Sequence, residues 1–181
     1  MPYQPHYPVV ETNPQVFLEI VIQGRPVGSL VFELFADEVP IAAENFRLLC
    51  TGSGGQSFKG SKFHRIFPSF FIEGGDFVHG DGTGGHSAFS ERYFKDEAMT
   101  GKSLRHFGYG ALSMSNHGPD TNSSLFFICL SPVPQFDTRH VVIGQMLSGV
   151  DVVRKIDRIG SSATGVPRCF VEIASCGEIV D

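Results

Sequence analysis

Apolar residues occur in short runs along this chain, separated by glycine, proline, asparagine and aspartate. Two of the runs, residues 16–22 and 30–35, flank the break Gly24-Arg25-Pro26 and predict a β-hairpin. Further short apolar runs predict strands at residues 63–67, 70–72, 111–115, 125–130, 141–146 and 169–174.

Two other segments have apolar residues at the three-to-four spacing of a helix. In the first, Pro40 fits the first helical turn, the apolar positions extend to Leu49, and Gly52 ends the helix. The second, residues 150–159, places its apolar residues on one face and is followed by Gly160. The sequence therefore predicts two helices among eight strands.

Many short strands with only two helices are typical of a β-sandwich or a barrel, and not of alternating βαβ units. Closure into a barrel is the surer way to hide strand edges. Residues 1–13 are rich in proline and polar residues, which predicts a loosely ordered arm. Residues 14–181 then form a single domain, because no internal repeat is visible.

Composition restricts the classes of function. Hydrophobic residues make up 41% of the chain and charged residues 18%, which argues against disorder. The net charge of −5 argues against electrostatic binding of nucleic acid. The longest apolar run, residues 125–130, is too short to span a bilayer, and the first residues lack the basic start of a signal peptide. We expect a cytoplasmic protein that binds neither membranes nor nucleic acid, with the nucleus left open as an address.

Three apparent motifs do not carry a function. Residues 80–85 satisfy the pattern GxGxxG, but no helical period follows to bind a dinucleotide phosphate. The four cysteines form no CxxC pair and are expected to be buried thiols. His79 and His86 flank the glycine-rich loop without the ligand spacing of a zinc site, so no metal is expected.

The most informative segment is residues 63–77, where Arg65 and Glu73 lie among aromatic residues. One interpretation is a strand pair with an aromatic core and a surface salt bridge. The other is an apolar pocket with a guanidinium at its rim. Periodicity alone does not choose between them.

The segment FHRIFPSFFIEGGDF at 63–77 closely resembles the signature of the cyclophilin family of peptidyl-prolyl isomerases. The resemblance extends from about Gln15 to Glu178. It includes Glu33-Leu34-Phe35, Ala43-Glu44-Asn45-Phe46-Arg47, Gly82-Thr83-Gly84-Gly85, Leu112-Ser113-Met114-Ser115-Asn116, Phe126-Phe127-Ile128, His140-Val141-Val142 and Cys176-Gly177. It implies a closed eight-stranded antiparallel barrel with a helix over each end.

The resemblance also implies a function and a set of site residues. The protein would catalyse cis-trans isomerisation of exposed X–Pro bonds in client proteins, assisting folding or switching, as a monomer and without a cofactor. Arg65 stands at the catalytic position of the family. The proline pocket would be formed by Phe70, Phe71, Phe127 and Phe136, with His140 completing its wall. Ser115 and Asn116 match the stretch that binds the substrate's peptide groups.

Three positions differ from the usual pattern of the family. Glu73 replaces a glutamine, and its carboxylate could bind Arg65 bidentately, which would either preorganise the guanidinium or neutralise it. Leu125 replaces a second glutamine and removes a hydrogen-bonding partner from the site. Gln135 replaces a tryptophan, so we expect weak binding of cyclosporin. Activity is expected to be modest, and the alternative is a proline-peptide binding or scaffold module with vestigial catalysis.

Overall fold

The computed structural model describes residues 2–181, which contain eight strands and two α-helices. The helices are α1 (Pro40–Thr51) and α2 (Val150–Asp157). The strands are β1 (Gln15–Ile22), β2 (Arg25–Leu34), β3 (Arg65–Phe67), β4 (Phe71–Gly74), β5 (Ala111–Met114), β6 (Phe126–Cys129), β7 (Val142–Ser148) and β8 (Val171–Ile179). Each of these elements overlaps one that the hydrophobic pattern predicts.

All eight strands belong to one antiparallel sheet in the order β3-β4-β6-β5-β7-β2-β1-β8. The sheet is a strongly curled half-barrel. It does not form the closed barrel that the family resemblance implies. The terminal strands β3 and β8 are not joined by a ladder. Instead the segment that precedes β3 makes a few bonds to β8, among them Phe63 N–H to the Val171 carbonyl at 2.9 Å.

The second strand of the hairpin, β2, starts at Arg25, five residues before the apolar run that predicts it. Ile22 pairs with Arg25 across a two-residue turn, and β2 therefore includes Pro26. Proline is tolerated there because the neighbouring strand β7 pairs with β2 only from Val31 onward, so no ladder bond is lost on that side.

The inner face of the sheet and the two helices enclose the core. Residues in register on β3, β4, β6 and β5 contribute a fully buried aliphatic row of Ile66, Ile72, Ile128 and Leu112. Phe46 of α1 packs edge-on against Phe126, with ring centroids 5.2 Å apart. α1 ends at Gly52, whose positive φ of 75° gives the left-handed cap expected for glycine.

The N-terminal segment lies across β2 and β7. The buried carboxylate of Glu33 accepts hydrogen bonds from Val10 N–H (2.9 Å), from the Asn13 amide (3.0 Å) and from the Gln145 amide (2.8 Å). Gln145 also bonds both backbone groups of Tyr7, each at 3.0 Å. The arm's composition did not indicate these contacts. Its loose order, and the domain boundary at residue 14, stay predictions.

Candidate active site

The outer face of the sheet carries one row of residues across four strands. Arg65 pairs with Glu73, Glu73 with Phe127, and Phe127 with Ser113. Directly opposed residues of antiparallel strands point to the same face, and this face is opposite to the buried aliphatic row. The row is therefore a charged group, a carboxylate and an aromatic ring set side by side on a rigid support.

An aromatic cluster lies beside this row. The ring of Phe71 is 5.6 Å from Phe127 and 5.9 Å from Phe136, and Phe127 and Phe136 are 5.3 Å apart. Phe70 packs on both Phe71 (4.7 Å) and Phe136 (6.0 Å). His140 adds a fifth ring, 5.1 Å from Phe136. The five aromatic residues named from the sequence thus lie in one cluster, in which Phe127 is buried and the other four are partly buried.

His140 is held in one orientation. Its Nδ1 is 3.0 Å from the carbonyl oxygen of Met114, and because a carbonyl only accepts, Nδ1 carries the proton. Burial lowers the pKa of His140, which favours the neutral ring. The histidine therefore serves as a fixed, uncharged wall of the aromatic cluster.

A second histidine, which the sequence patterns did not single out, supports the cluster from behind. His106 is buried and stacks on Phe127 at 5.6 Å. Its Nδ1 lies 2.9 Å from an Asp137 carboxylate oxygen and its Nε2 lies 2.8 Å from the Ser113 hydroxyl. Burial lowers the pKa of His106 despite Asp137, and Nδ1–H donates to the carboxylate, which only accepts. The Ser113 hydroxyl also lies 3.1 Å from the Val141 carbonyl. These partners are distant in sequence, and no local pattern would have found them.

The guanidinium of Arg65 is exposed and has no hydrogen-bond or ion-pair partner among residues 2–181. The bidentate pair with Glu73 considered from the sequence is not formed. Glu73 instead accepts a hydrogen bond from the Ser115 hydroxyl at 3.0 Å, and its carboxylate is 3.5 Å from Nε2 of the buried His64. Glu73 is thus turned away from the arginine that it faces across the ladder.

The electrostatics of Glu73 agree with that geometry. Burial by itself would raise the pKa of Glu73. The attraction of His64, the Ser115 hydrogen bond and the charge of Arg65 together more than offset it, so its pKa lies below the usual range. Glu73 is therefore a carboxylate at neutral pH, near Arg65 but not bonded to it.

The remaining predicted residues differ in position. The Asn116 amide donates to the Arg139 carbonyl (2.8 Å) and its oxygen accepts from Gly118 N–H (3.1 Å), so this side chain fixes the local loops. Leu125 is buried against the glycine-rich loop, not at the surface. Gln135 is exposed on the 3₁₀ turn that presents Phe136.

The glycine-rich loop has a role that the patterns did not predict. The buried carboxylate of Asp76 accepts five backbone N–H bonds, listed here by donor: Val78 (3.1 Å), His79 (2.8 Å), Asp81 (3.1 Å), Gly82 (2.9 Å) and Gly84 (3.0 Å). Gly75, with φ +96°, is required beside it, because a Cβ would lie 2.1 Å from the Ser124 carbonyl oxygen. In a dinucleotide site, backbone amides of such a loop bind a phosphate. In this chain they bind the carboxylate of Asp76 instead.

Among residues 2–181 no three His, Cys, Asp or Glu side chains are grouped as metal ligands. Neither α-helix of the described chain has the length and apolarity that a membrane crossing needs.

A family model described as cyclophilin type peptidyl-prolyl cis-trans isomerase/CLD matches residues 17–178.

Proposed function

The chain belongs to the cyclophilin-type peptidyl-prolyl cis-trans isomerases, and on that premise we propose that Arg65 and the aromatic cluster form its active site. The substrates are exposed X–Pro bonds of client proteins. The unpartnered guanidinium of Arg65, in the same strand ladder as a partly buried aromatic cluster, is the observation that supports this proposal most strongly.

The chemistry requires no covalent intermediate. Rotation of an X–Pro bond crosses a barrier of about 20 kcal/mol, because the prolyl nitrogen lone pair is delocalised into the carbonyl. As the bond twists, the lone pair localises on nitrogen and becomes a better acceptor. A guanidinium N–H placed at that nitrogen stabilises the twisted state more than either planar isomer, which is the condition for catalysis.

The aromatic cluster would hold the proline ring. Phe71, Phe127 and Phe136 present apolar surfaces, and His140 closes one side in its neutral form. Fixing the ring leaves the acyl side of the bond free to rotate, so that binding is converted into a lower barrier. Since Arg65 is already unpaired, no existing ion pair has to break before it reaches the substrate.

We further propose that the activity is modest. Leu125 stands buried where the family pattern has a glutamine, so one polar contact to the substrate backbone is missing. This same substitution, with Gln135, favours the alternative of a proline-peptide binding or scaffold module with vestigial catalysis. We propose a cytoplasmic monomer that needs no cofactor, with proline-containing proteins as its clients.

A protease-coupled assay on a proline tetrapeptide tests the proposed function. The isomerase should increase the cis-to-trans rate in proportion to protein concentration above the uncatalysed rate. A protein that binds the peptide in calorimetry but leaves the rate unchanged would be the binding module instead.

The role of Glu73 is tested by Glu73→Gln. Because Ser115 and His64 hold the carboxylate, we expect kcat/KM of this variant to stay within about threefold of the wild type. Ser115→Ala removes the hydroxyl that holds Glu73 and should lower kcat/KM by about three- to tenfold, since the freed carboxylate can pair with Arg65.

The double variant Glu73→Gln/Ser115→Ala is the control for this pair. It should recover most of the activity that Ser115→Ala loses, which is a coupling between the two positions. A tenfold gain in Glu73→Gln alone would mean that Glu73 neutralises Arg65 in the native protein, contrary to the proposal.

We also propose weak cyclosporin binding. Gln135 lies exposed on the turn beside Phe136, and it offers neither the area nor the indole N–H of the tryptophan found in many family members. A calorimetric titration should give no nanomolar complex. Gln135→Trp should tighten the complex at least tenfold, and nanomolar affinity in the native protein would refute the proposal.

A further inference from the structure

A cavity of about 510 Å³ includes Arg65 in its lining. Three segments form it: residues 62–65 before and within β3, residues 80–81 of the glycine-rich loop, and residues 164–170 before β8. We call this cavity the basic cleft. It shares Arg65 with the proposed active site, so a peptide bound at one can continue into the other.

The floor of the basic cleft is apolar and exposed. Val166 and Phe170 are 63% and 62% exposed, among the highest values for large hydrophobic residues in the described chain. The Lys62 ammonium lies 4.9 Å from the centre of the Phe170 ring, which leaves the rest of that ring open. Exposed apolar surface in a concave site is typical of a place where a ligand binds.

The walls of the basic cleft are positively charged. Lys62, Arg65 and Arg168 line it, and none of the three forms an ion pair within residues 2–181. The one acidic group there, Asp81, accepts hydrogen bonds from the Thr83 hydroxyl (2.6 Å) and backbone N–H (2.9 Å). The Arg168 guanidinium donates to the Arg158 carbonyl, which leaves its charge without a counterion. Three cations without an ion-pair partner in one cleft contrast with a chain whose net charge is −5.

We propose that the basic cleft binds an acidic segment of the client chain, flanking the proline that occupies the active site. The segment has aspartate or glutamate side chains to face Lys62 and Arg168, and an apolar side chain to cover Phe170. The cleft thereby selects clients by charge next to the isomerised bond. This inference rests on the proposed function, because Arg65 belongs to both sites.

The physical basis is electrostatic complementarity at a partly open site. Each exposed charge pair changes affinity only two- to fivefold, so several carboxylates are needed for a clear preference. The effect should appear in KM, because these groups contact the substrate equally in its planar and twisted states. Salt should weaken it, since the pairs are accessible to counterions.

The test compares nine-residue peptides that share one X–Pro core. One set carries two glutamates, two serines or two lysines before the core, and a second set carries them after it. Exchange NMR gives kcat and KM for each peptide without a protease. On one of the two sides, the glutamate peptide should exceed the serine peptide in kcat/KM by about five- to tenfold, through KM, and 0.5 M NaCl should abolish most of the difference.

Variants locate the preference in the cleft. Lys62→Glu/Arg168→Glu should reverse the ratio of glutamate to lysine peptide. Lys62→Gln/Arg168→Gln, which removes both charges but keeps polar side chains, should bring the ratio near one. Arg154→Glu/Lys155→Glu on the exposed face of α2 changes net charge equally and should leave the ratio as in the wild type.

A lack of preference on both sides, or a preference unaffected by either cleft variant, would overturn the inference. Failure of the proposed function has a different signature, since the serine peptides would then not be isomerised at all. In that case calorimetric affinities of the same peptides still decide whether the cleft prefers carboxylates.

Discussion

Arg65→Ala is expected to lower kcat/KM on an X–Pro peptide by about 10²–10³-fold, the usual loss when one electrostatic donor to a transition state is removed. Arg65 is exposed, so the variant should fold normally. The proline pocket is intact in it, and peptide affinity measured by calorimetry should fall by much less than the rate. A loss in kcat with little change in binding is the mark of a group that acts on the twisted state.

Two further variants sharpen this result. Arg65→Lys keeps the charge but loses the planar fork of donors, and should recover only a small part of the activity. Arg25→Ala removes an exposed arginine from the start of β2 and should change nothing. If Arg65→Ala isomerises peptides as fast as the native protein, the aromatic cluster is a binding site without the proposed catalyst.

The second large effect is expected on stability, from Asp76→Asn. The carboxylate accepts five backbone N–H bonds, two on Oδ1 and three on Oδ2. An asparagine keeps one acceptor oxygen and directs its NH₂ at the other donors, which leaves them unsatisfied in a buried place. We expect unfolding free energy to fall by about 2–4 kcal/mol at pH 7.

The effect should depend on pH in a defined direction. Burial would raise the pKa of Asp76, but the backbone donors more than offset it and lower that pKa well below the unfolded value of about 3.9. The carboxylate therefore stabilises the fold fully above about pH 5, and this stabilisation is lost as pH falls toward the folded pKa. The difference between native protein and variant should be smaller at pH 3 than at pH 7.

Urea unfolding at both pH values provides the measurement. Asp151→Asn, whose carboxylate is almost fully exposed on α2, is the matched control and should change stability by less than about 0.5 kcal/mol. An Asp76→Asn deficit that is equal at pH 3 and pH 7 would show that the loop does not depend on the ionised carboxylate.

The elements of the fold could be predicted because their causes are local. Short apolar runs separated by glycine and proline breaks identify the strands, and Pro40 and Gly52 mark the two ends of α1. Local patterns in the sequence could not predict whether the sheet closes into a barrel. Closure depends on how a three-residue strand, β3, meets β8 from the far end of the chain, and only a few bonds join them.

The sequence could predict which residues of the site lie near one another where these residues are paired on neighbouring strands. The register places Arg65 opposite Glu73, as their proximity in sequence suggests. The direction of the Glu73 side chain is decided by Ser115, which is 42 residues away in sequence. His106 behind Phe127 was missed for the same reason, because its partner Asp137 is 31 residues away. Tertiary hydrogen bonds leave no local pattern.

The N-terminal segment has a consequence for biosynthesis. Tyr3 donates to the Met146 carbonyl and Tyr7 to the Gln145 side chain, contacts that span 143 and 138 residues. Residues 2–13 leave the ribosome well before β7, so their binding site on β7 is absent when they emerge. This segment therefore completes its docking only after β7 has been synthesised. A nascent chain that ends before β7 leaves the Glu33 carboxylate without its Gln145 donor, and the segment then has only its contacts to β2 and the residues that follow it, through Val10 and Asn13.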